Sequence, residues 1–254
     1  MNEIIKNKVY YKIFDKSFKK SSHIYSKKDK TGVPFDIQEV QGNRLAIIEY
    51  YKAKNICILD QVHGNKALDV DNIDITDLEA EDFAADGAVT TKENIILAVQ
   101  TADCVPVLLY SSDRKVIGVA HCGWRGAKVD IVHSVVELMQ DKGAEDIMAI
   151  IGPSIQQSSY EVDQVFYDTF TKQNADHAQF FIKAAREKHF MFDLPAFVEM
   201  KLHKAGVKEI QNMQEDTYTN PDKYISYRLA THRGELCNNR ILSTIGILST
   251  IIVE

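Results

Sequence analysis

Ile95-Ile96-Leu97-Ala98-Val99-Gln100-Thr101-Ala102-Asp103-Cys104-Val105-Pro106-Val107-Leu108-Leu109-Tyr110 holds two apolar, β-prone runs interrupted by the tetrad Thr101 to Cys104. A third run, Val116-Ile117-Gly118-Val119-Ala120, follows after a polar link. Short apolar runs without polar alternation are the pattern of strands covered on both faces. We therefore expect three adjacent strands of one buried sheet, the last two forming a hairpin through Ser112-Asp113. Cys104 precedes one hairpin strand and His121 follows the other, so antiparallel pairing brings both to the same open end.

Working outward, Asn43 to Lys54 carries Leu45, Ile48 and Tyr51 at helical spacing, and Ile56 to Leu59 is a short strand running into Gln61-Val62-His63-Gly64. The acidic stretch Asp71, Asp74, Asp77, Glu79, Glu81, Asp82, Asp86 contains no basic partner and reads as a solvated loop. Beyond Gly126, the apolar spacing from Val129 to Met139 predicts an amphipathic helix that ends near Lys142-Gly143, with the glycine suited to a C-cap. A strand at Ile147 to Ile151 and helices over Asp163 to Gln173 and Leu194 to Ala205 come next, Asp193 being the N-cap and Pro195 a first-turn residue. Strands are expected around Lys208 to Asn212 and Tyr224 to Tyr227, and Ile241 to Val253 reads as a strand pair or a strand and turn that repeats Ile-Leu-Ser-Thr-Ile. No composition break divides this order of strands and helices, so residues 1–254 read as one domain of mixed α+β class.

A net charge of -6 argues against a nucleic-acid partner, which needs clustered Lys and Arg along a face. The most apolar segment, Ile241 to Val253, is shorter than the roughly 20 residues of a membrane span, so no membrane partner is expected. Four cysteines in 254 residues do not make a secreted disulfide scaffold, and the N-terminus lacks the pattern of an export signal. A cytoplasmic protein is the expectation; oligomeric state is not legible.

Three loops carry metal-capable side chains beside strands: His63 in Gln61 to Gly64, Cys104 in Thr101 to Cys104, and His121 in Ala120-His121-Cys122-Gly123-Trp124-Arg125-Gly126. Two histidines and a thiolate make an open zinc site, since structural zinc takes four protein ligands and catalytic zinc usually three. Without a metal, Cys104 is a small buried hydrophobe or a nucleophile with His121 as its base. Cys122 should point to the opposite face from His121. His23, His133, His177, His189 and His203 lie in helical or polar segments and receive no role. Gly123 and Gly126 with Arg125, just before a helix, form a candidate phosphate site, and the bland alternative is an arginine paired with a local carboxylate. Arg44 and Arg228 are candidates for substrate contact, and Asp86 before Gly87 is most simply a turn residue.

The order QVHG, ADG, TADCVPVLL, AHCGWRG, GPSI, SYEV and SYR resembles the YfiH family, also called the laccase-domain or multicopper polyphenol oxidase family, from about Asn43 onward. Residues 1–42 match poorly. The resemblance implies mixed sheets flanked by helices in a layered α/β/β/α arrangement, and a metal held by His63, Cys104 and His121. It also implies that Asp86 lies near the site, where it could orient a ligand histidine or accept a proton. In function the family is similar to zinc-dependent enzymes that use phosphate to cleave adenosine, inosine and methylthioadenosine and that deaminate adenosine; purine nucleoside and phosphate are the implied partners. Copper and phenol oxidation are the alternative suggested by one family name, against which stands the lack of any His-x-His pair. A cysteine hydrolase acting in peptidoglycan editing is the metal-free alternative. A zinc-stabilised interaction protein would need a fourth protein ligand that the sequence does not offer.

Overall fold

Successive residues of the strand Ile95–Thr101 face two different cores in the computed structural model. Leu97 and Val99 pack with Leu108, Ile117, Val119 and Ile150, whereas Ile96 and Ala98 pack with Ile47, Tyr51 and Leu242. The structure describes residues 3–5, 8–18, 25, 35–76, 83–113 and 115–249.

Two six-stranded mixed sheets lie face to face. The first runs β1 (Glu3–Ile5), β2 (Val9–Phe14), β15 (Ile241–Ile247), β7 (Ile95–Thr101), β3 (Asn55–Asp60), β5 (Phe83–Ala84). The second runs β14 (Glu209–Asn212), β10 (Met148–Ile151), β8 (Val105–Tyr110), β9 (Ile117–Cys122), β6 (Gly87–Thr90), β4 (Ala67–Asp69). Helix α1 (Ile37–Tyr51) covers the outer face of the first sheet, and α2 (Trp124–Lys128), α3 (Ile131–Asp141), α4 (Gln164–Thr171) and α5 (Leu194–Lys204) border the core on the outer face of the second. The expected α/β/β/α layering and single domain are present. A small sheet of β11 (Glu161–Asp163), β13 (His189–Phe192) and β12 (Phe181–Lys183) adds an aromatic annex, and α6 (Tyr227–Arg233) precedes β15.

Local chemistry sets several boundaries. Helix α1 begins before Asn43 because the Asp36 side chain accepts from the N–H groups of Gln38 and Glu39, and it stops where Lys52 turns left-handed at φ 49°. Asp130 and Asp193 cap α3 and α5 in the same way. Helix α3 lies close on its sheet because Gly87 and Gly118 have no side chain: a Cβ at Gly87 would sit 2.4 Å from Val135, and one at Gly118 would sit 2.9 Å from the Met139 sulfur. Shape, not only apolarity, therefore fixes this layer.

Three expectations need correction. The runs beginning at Ile95, Val105 and Val116 do not share one sheet: β8 pairs with β9, but β7 pairs with β15 and β3 in the facing layer. Burial on both sides is met here by a helix on one face and a second sheet on the other, which the composition of the run cannot distinguish. Tyr224 to Tyr227 is not a strand. Tyr224 and Ile225 pack on Ile241, and the Ser226 hydroxyl accepts from the Leu229 N–H to start α6, which places Arg228 in a first helical turn. The stretch from Asp71 to Asp86 is not simply a solvated loop: Asp71 is bound by Thr90, Thr91 and Lys142, and Asp86 is completely buried. Its basic partner comes from the end of α3. Asp77, Glu79, Glu81 and Asp82 lie outside the described residues, as do the end of the Ile-Leu-Ser-Thr-Ile repeat from Thr250 and residues 1–2, 6–7, 19–24 and 26–34 of the N-terminal stretch.

Lys142 Nζ lies 2.6 Å from Asp69 and 2.9 Å from Asp71, clamping the β4 loop to α3. Burial opposes charge on Asp71, but bonds from Lys142, Thr90 and Thr91 outweigh it and hold the carboxyl at about 2, below its ordinary 3.8. That stabilisation is present above about pH 4 and lost as pH falls through 2. Lys142→Met should therefore cost about 1–2 kcal/mol at pH 7. The deficit should shrink when urea unfolding is repeated near pH 2.5, where Asp71 of the unfolded chain is already protonated and the folded wild type approaches its own titration.

Candidate metal centre

Hairpin register sets the first two members. Val105 pairs with Cys122 and Pro106 with His121, so Cys104, one residue before the strand, stands beside the end of β9. His121 follows the parity of Ile117 and Val119 towards the space between the sheets, and Cys122 follows Ala120 into the core against α3. The expected opposite orientation of Cys122 is present. His63 arrives from the other sheet on the loop after β3, at φ 61°.

The ligand atoms of His63, Cys104 and His121 all lie within 4.8 Å of one another. The Cys104 sulfur is 3.9 Å from His63 Nε2, and the two imidazoles meet edge to face with centroids 4.7 Å apart. Zinc bonds of 2.0–2.3 Å at tetrahedral angles give a ligand edge of about 3.5 Å, so small side-chain adjustments close this set on an ion. His121 is the most buried of the three and His63 the most exposed, which leaves the solvent side open for a fourth partner. Gly123 makes the approach possible: a Cβ there would lie 2.7 Å from His63 Cδ2 and 3.1 Å from the Cys104 sulfur.

Asp86 organises the group. One carboxylate oxygen accepts from the His63 N–H at 2.8 Å and from His121 Nδ1 at 2.8 Å; the other accepts from the Gly64 N–H at 2.7 Å. Its backbone carbonyl accepts from the His121 N–H at 2.7 Å. With Nδ1 engaged, His121 has Nε2 left for a metal, the carboxylate-histidine pairing that steers and strengthens a metal ligand. Burial disfavours the Asp86 charge, but bonds from His121, Gly64 and His63 hold its carboxyl below the ordinary value.

Burial would likewise push the Cys104 thiol up, yet the charge and hydrogen bonds of His121 and His63 draw it down to about 6. Burial opposes charge on His121, while the Cys104 thiolate and Asp86 raise it to about 9. Cys122, buried beside these charges, is raised. The soft, anionic sulfur with two imidazoles is a donor set suited to zinc.

The other candidates divide. Arg125 is exposed, its guanidinium 4.4 Å from the Trp124 ring. Gly126 lets the start of α2 lie against the loop after β3, since a Cβ there would meet the Gly64 carbonyl at 2.9 Å. Helix α2 has five residues, too short for a strong dipole, so an anion at this loop would depend on the arginine. Arg228 donates from Nη1 to the Glu161 carbonyl at 2.8 Å and lies 5.1 Å from the Tyr160 ring. Arg44 is buried in α1 and donates from Nε and Nη2 to the Tyr25 carbonyl at 2.9 and 2.7 Å.

Sequence reasoning did not single out Tyr160 or Asp103. Burial raises the Tyr160 phenol, and the charges of Cys104, Arg228, Asp103 and Arg125 all act on it, which locates the ring among the site groups. Its only signal was membership of the Ser-Tyr-Glu-Val segment. Asp103 adjoins Cys104 and reads as a polar strand-end residue, but it sits buried at φ 91°.

The sequence pattern of a family described as multi-copper polyphenol oxidoreductase laccase matches residues 18–246. A Rickettsia conorii protein named purine nucleoside phosphorylase is 51% identical over 245 residues, 96% of this chain and 99% of its own. The crystal structure of a Neisseria meningitidis protein, NMB0706, superposes with a TM-score of 0.80 at 22% identity, covering 98% of this chain and 99% of that one. That of the Bacillus licheniformis protein YfiH also gives 0.80, at 26% identity over 94% and 92% of the two chains. With the fold, the motif order and the converged loops in agreement, this chain belongs to the laccase-domain family of YfiH-type proteins.

Proposed function

We propose that this protein is a zinc-dependent purine nucleoside phosphorylase that cleaves adenosine, inosine and methylthioadenosine with phosphate and also deaminates adenosine. The observation that carries the reading is the closely spaced His63, Cys104 and His121 with Nδ1 of His121 held by Asp86. The name of the Rickettsia conorii relative supports the substrate class.

His63, Cys104 and His121 would hold the zinc, which supplies Lewis acidity and a lowered pKa for water at that point. The rest falls to the chain. Asp86 keeps the Nδ1 proton of His121, so the ring stays in the tautomer that presents Nε2. Arg125 and Arg228 supply positive charge for a phosphate dianion, the exposed Arg125 being free to follow it. Tyr160, a neutral phenol that burial moves further from ionisation, offers a hydroxyl and an aromatic face to a purine nucleoside. Phosphate oxygen attacks ribose C1′, the C1′–N9 bond breaks, and the purine leaves with its electron pair and takes up a proton.

A second reading draws on the same pair without metal. A thiol brought to about 6 beside an imidazole raised to about 9 is a thiolate-imidazolium pair, the resting state of a cysteine nucleophile such as a hydrolase acting in peptidoglycan editing would use.

Metal analysis separates the two. Purified protein should carry one zinc per chain, and Cys104→Ala should carry almost none; equal occupancy would remove Cys104 from the site. Occupancy should also fall in acid, because protons compete with the ion for the Cys104 sulfur and for Nε2 of His121. No transition metal in the wild type would favour the cysteine reading.

Chromatography of products from adenosine, inosine and methylthioadenosine, with His121→Ala as blank, tests the reaction. Release of free base with ribose 1-phosphate, or its methylthio analogue, is expected, with inosine as a second product from adenosine. Copper-dependent oxidation of a phenolic dye without nucleoside turnover would instead make it an oxidase.

Arg125→Ala should raise the KM for phosphate about tenfold, roughly the 1.4 kcal/mol of one partly exposed charged contact. Deamination, which uses no phosphate, should change less than twofold. An unchanged phosphate KM would leave Arg125 as a cover for Trp124.

A further inference from the structure

The residue before Cys104 joins parts of the chain that no motif connects. Asp103 is buried, and its φ of 91° lies where a residue with a Cβ rarely sits. One carboxylate oxygen accepts from the Thr217 hydroxyl at 2.7 Å, the other from the Arg228 N–H at 2.6 Å. The Ser226 side chain, N-cap of α6, also bonds to this carboxylate. On the backbone side, the Asp103 carbonyl accepts from the Ile155 N–H at 3.0 Å. From this anchor α6 sends the Arg228 guanidinium to the Glu161 carbonyl and alongside Tyr160.

We propose that Asp103 is a positioning residue that sets two functional side chains at once, Cys104 through the backbone they share and Arg228 through the first turn of α6. The left-handed backbone of Asp103 turns the chain out of β7 and aims Cys104 at the two histidines. The same carboxylate fixes where α6 begins, and so where the Arg228 guanidinium reaches. A carboxylate is required because it accepts from a backbone N–H and two hydroxyls together. An asparagine tolerates the same backbone but replaces one acceptor by a donor that would face the Arg228 N–H or the hydroxyls.

The kinetic part of this inference rests on the phosphorylase reading; the metal part does not. Asp103→Asn, Thr217→Val and Arg228→Ala are prepared as zinc-loaded full chains. Zinc release to a chromogenic chelator should be about tenfold faster in Asp103→Asn, the lower end for loss of a residue supporting a ligand. It should be a few-fold faster in Thr217→Val, which leaves the backbone of residue 103 alone, and unchanged in Arg228→Ala. With inosine and phosphate, Asp103→Asn and Arg228→Ala should each raise KM about tenfold, and the double variant should be no worse than Arg228→Ala alone, since the two act through one contact. Full additivity in KM, or zinc release at the wild-type rate in both Asp103→Asn and Thr217→Val, would overturn the proposal. Wild-type protein that holds zinc but turns over no nucleoside would defeat the phosphorylase reading instead, and the zinc-release comparison would then decide whether Asp103 positions Cys104.

Discussion

A single buried carboxylate draws the parts of this molecule together. Asp86 lies at the start of β6 with no exposed surface, and a charge removed from water is tolerated only when its lone pairs are filled. They are filled from two directions, by backbone N–H groups of the loop after β3 in the first sheet and by the imidazole at the end of β9 in the second. Hydrogen bonds to a charged group contribute about 1.5–3 kcal/mol each, so three of them are large beside the 5–15 kcal/mol by which a domain is stable. The convergence of His63 with His121 is therefore an outcome of folding and needs no metal to create it.

The layers supply the rigidity this convergence requires. β3 and β9 are inner strands of facing sheets, each with its apolar residues alternating between the shared core and a helix-covered core. Their ends cannot drift apart without opening the space between the sheets. Absent side chains at chosen points do as much as packed ones, because Gly87 and Gly118 let α3 settle on β6 and β9, and Gly123 leaves room for His63 and Cys104 to meet. The fold thus presents a soft anionic sulfur and two imidazoles at the rim of a stiff sandwich, with arginines and a tyrosine beside them.

Much of this was legible from the chain alone. The hairpin of β8 and β9 follows from apolar runs flanking a short polar link, and with it the meeting of Cys104 and His121; the opposing direction of Cys122 follows from strand parity. The capping aspartate of α5, Asp193, is adjacent to the helix it starts. Less legible were pairings between segments distant in sequence. Lys142 answers the acidic stretch at Asp69 and Asp71 across some seventy residues, and Tyr224 to Tyr227 lost its strand character because its neighbour in space is Ile241 and its serine is an N-cap.

The sequence by itself determined most element types, the mixed α+β class and the loops that carry chemistry, because hydrophobic period, capping residues and turn residues act over a few positions; the layering was implied by the resemblance of its motifs. Tertiary structure alone decided which sheet each strand joins, that His63 reaches the other two donors, that Asp86 is a buried organiser and not an exposed turn residue, and that Asp103 ties Cys104 to Arg228. These rest on hydrogen bonds and burial between residues that are neighbours only after folding. A buried carboxylate and a solvated one are the same letters until the groups that fill their lone pairs are in place.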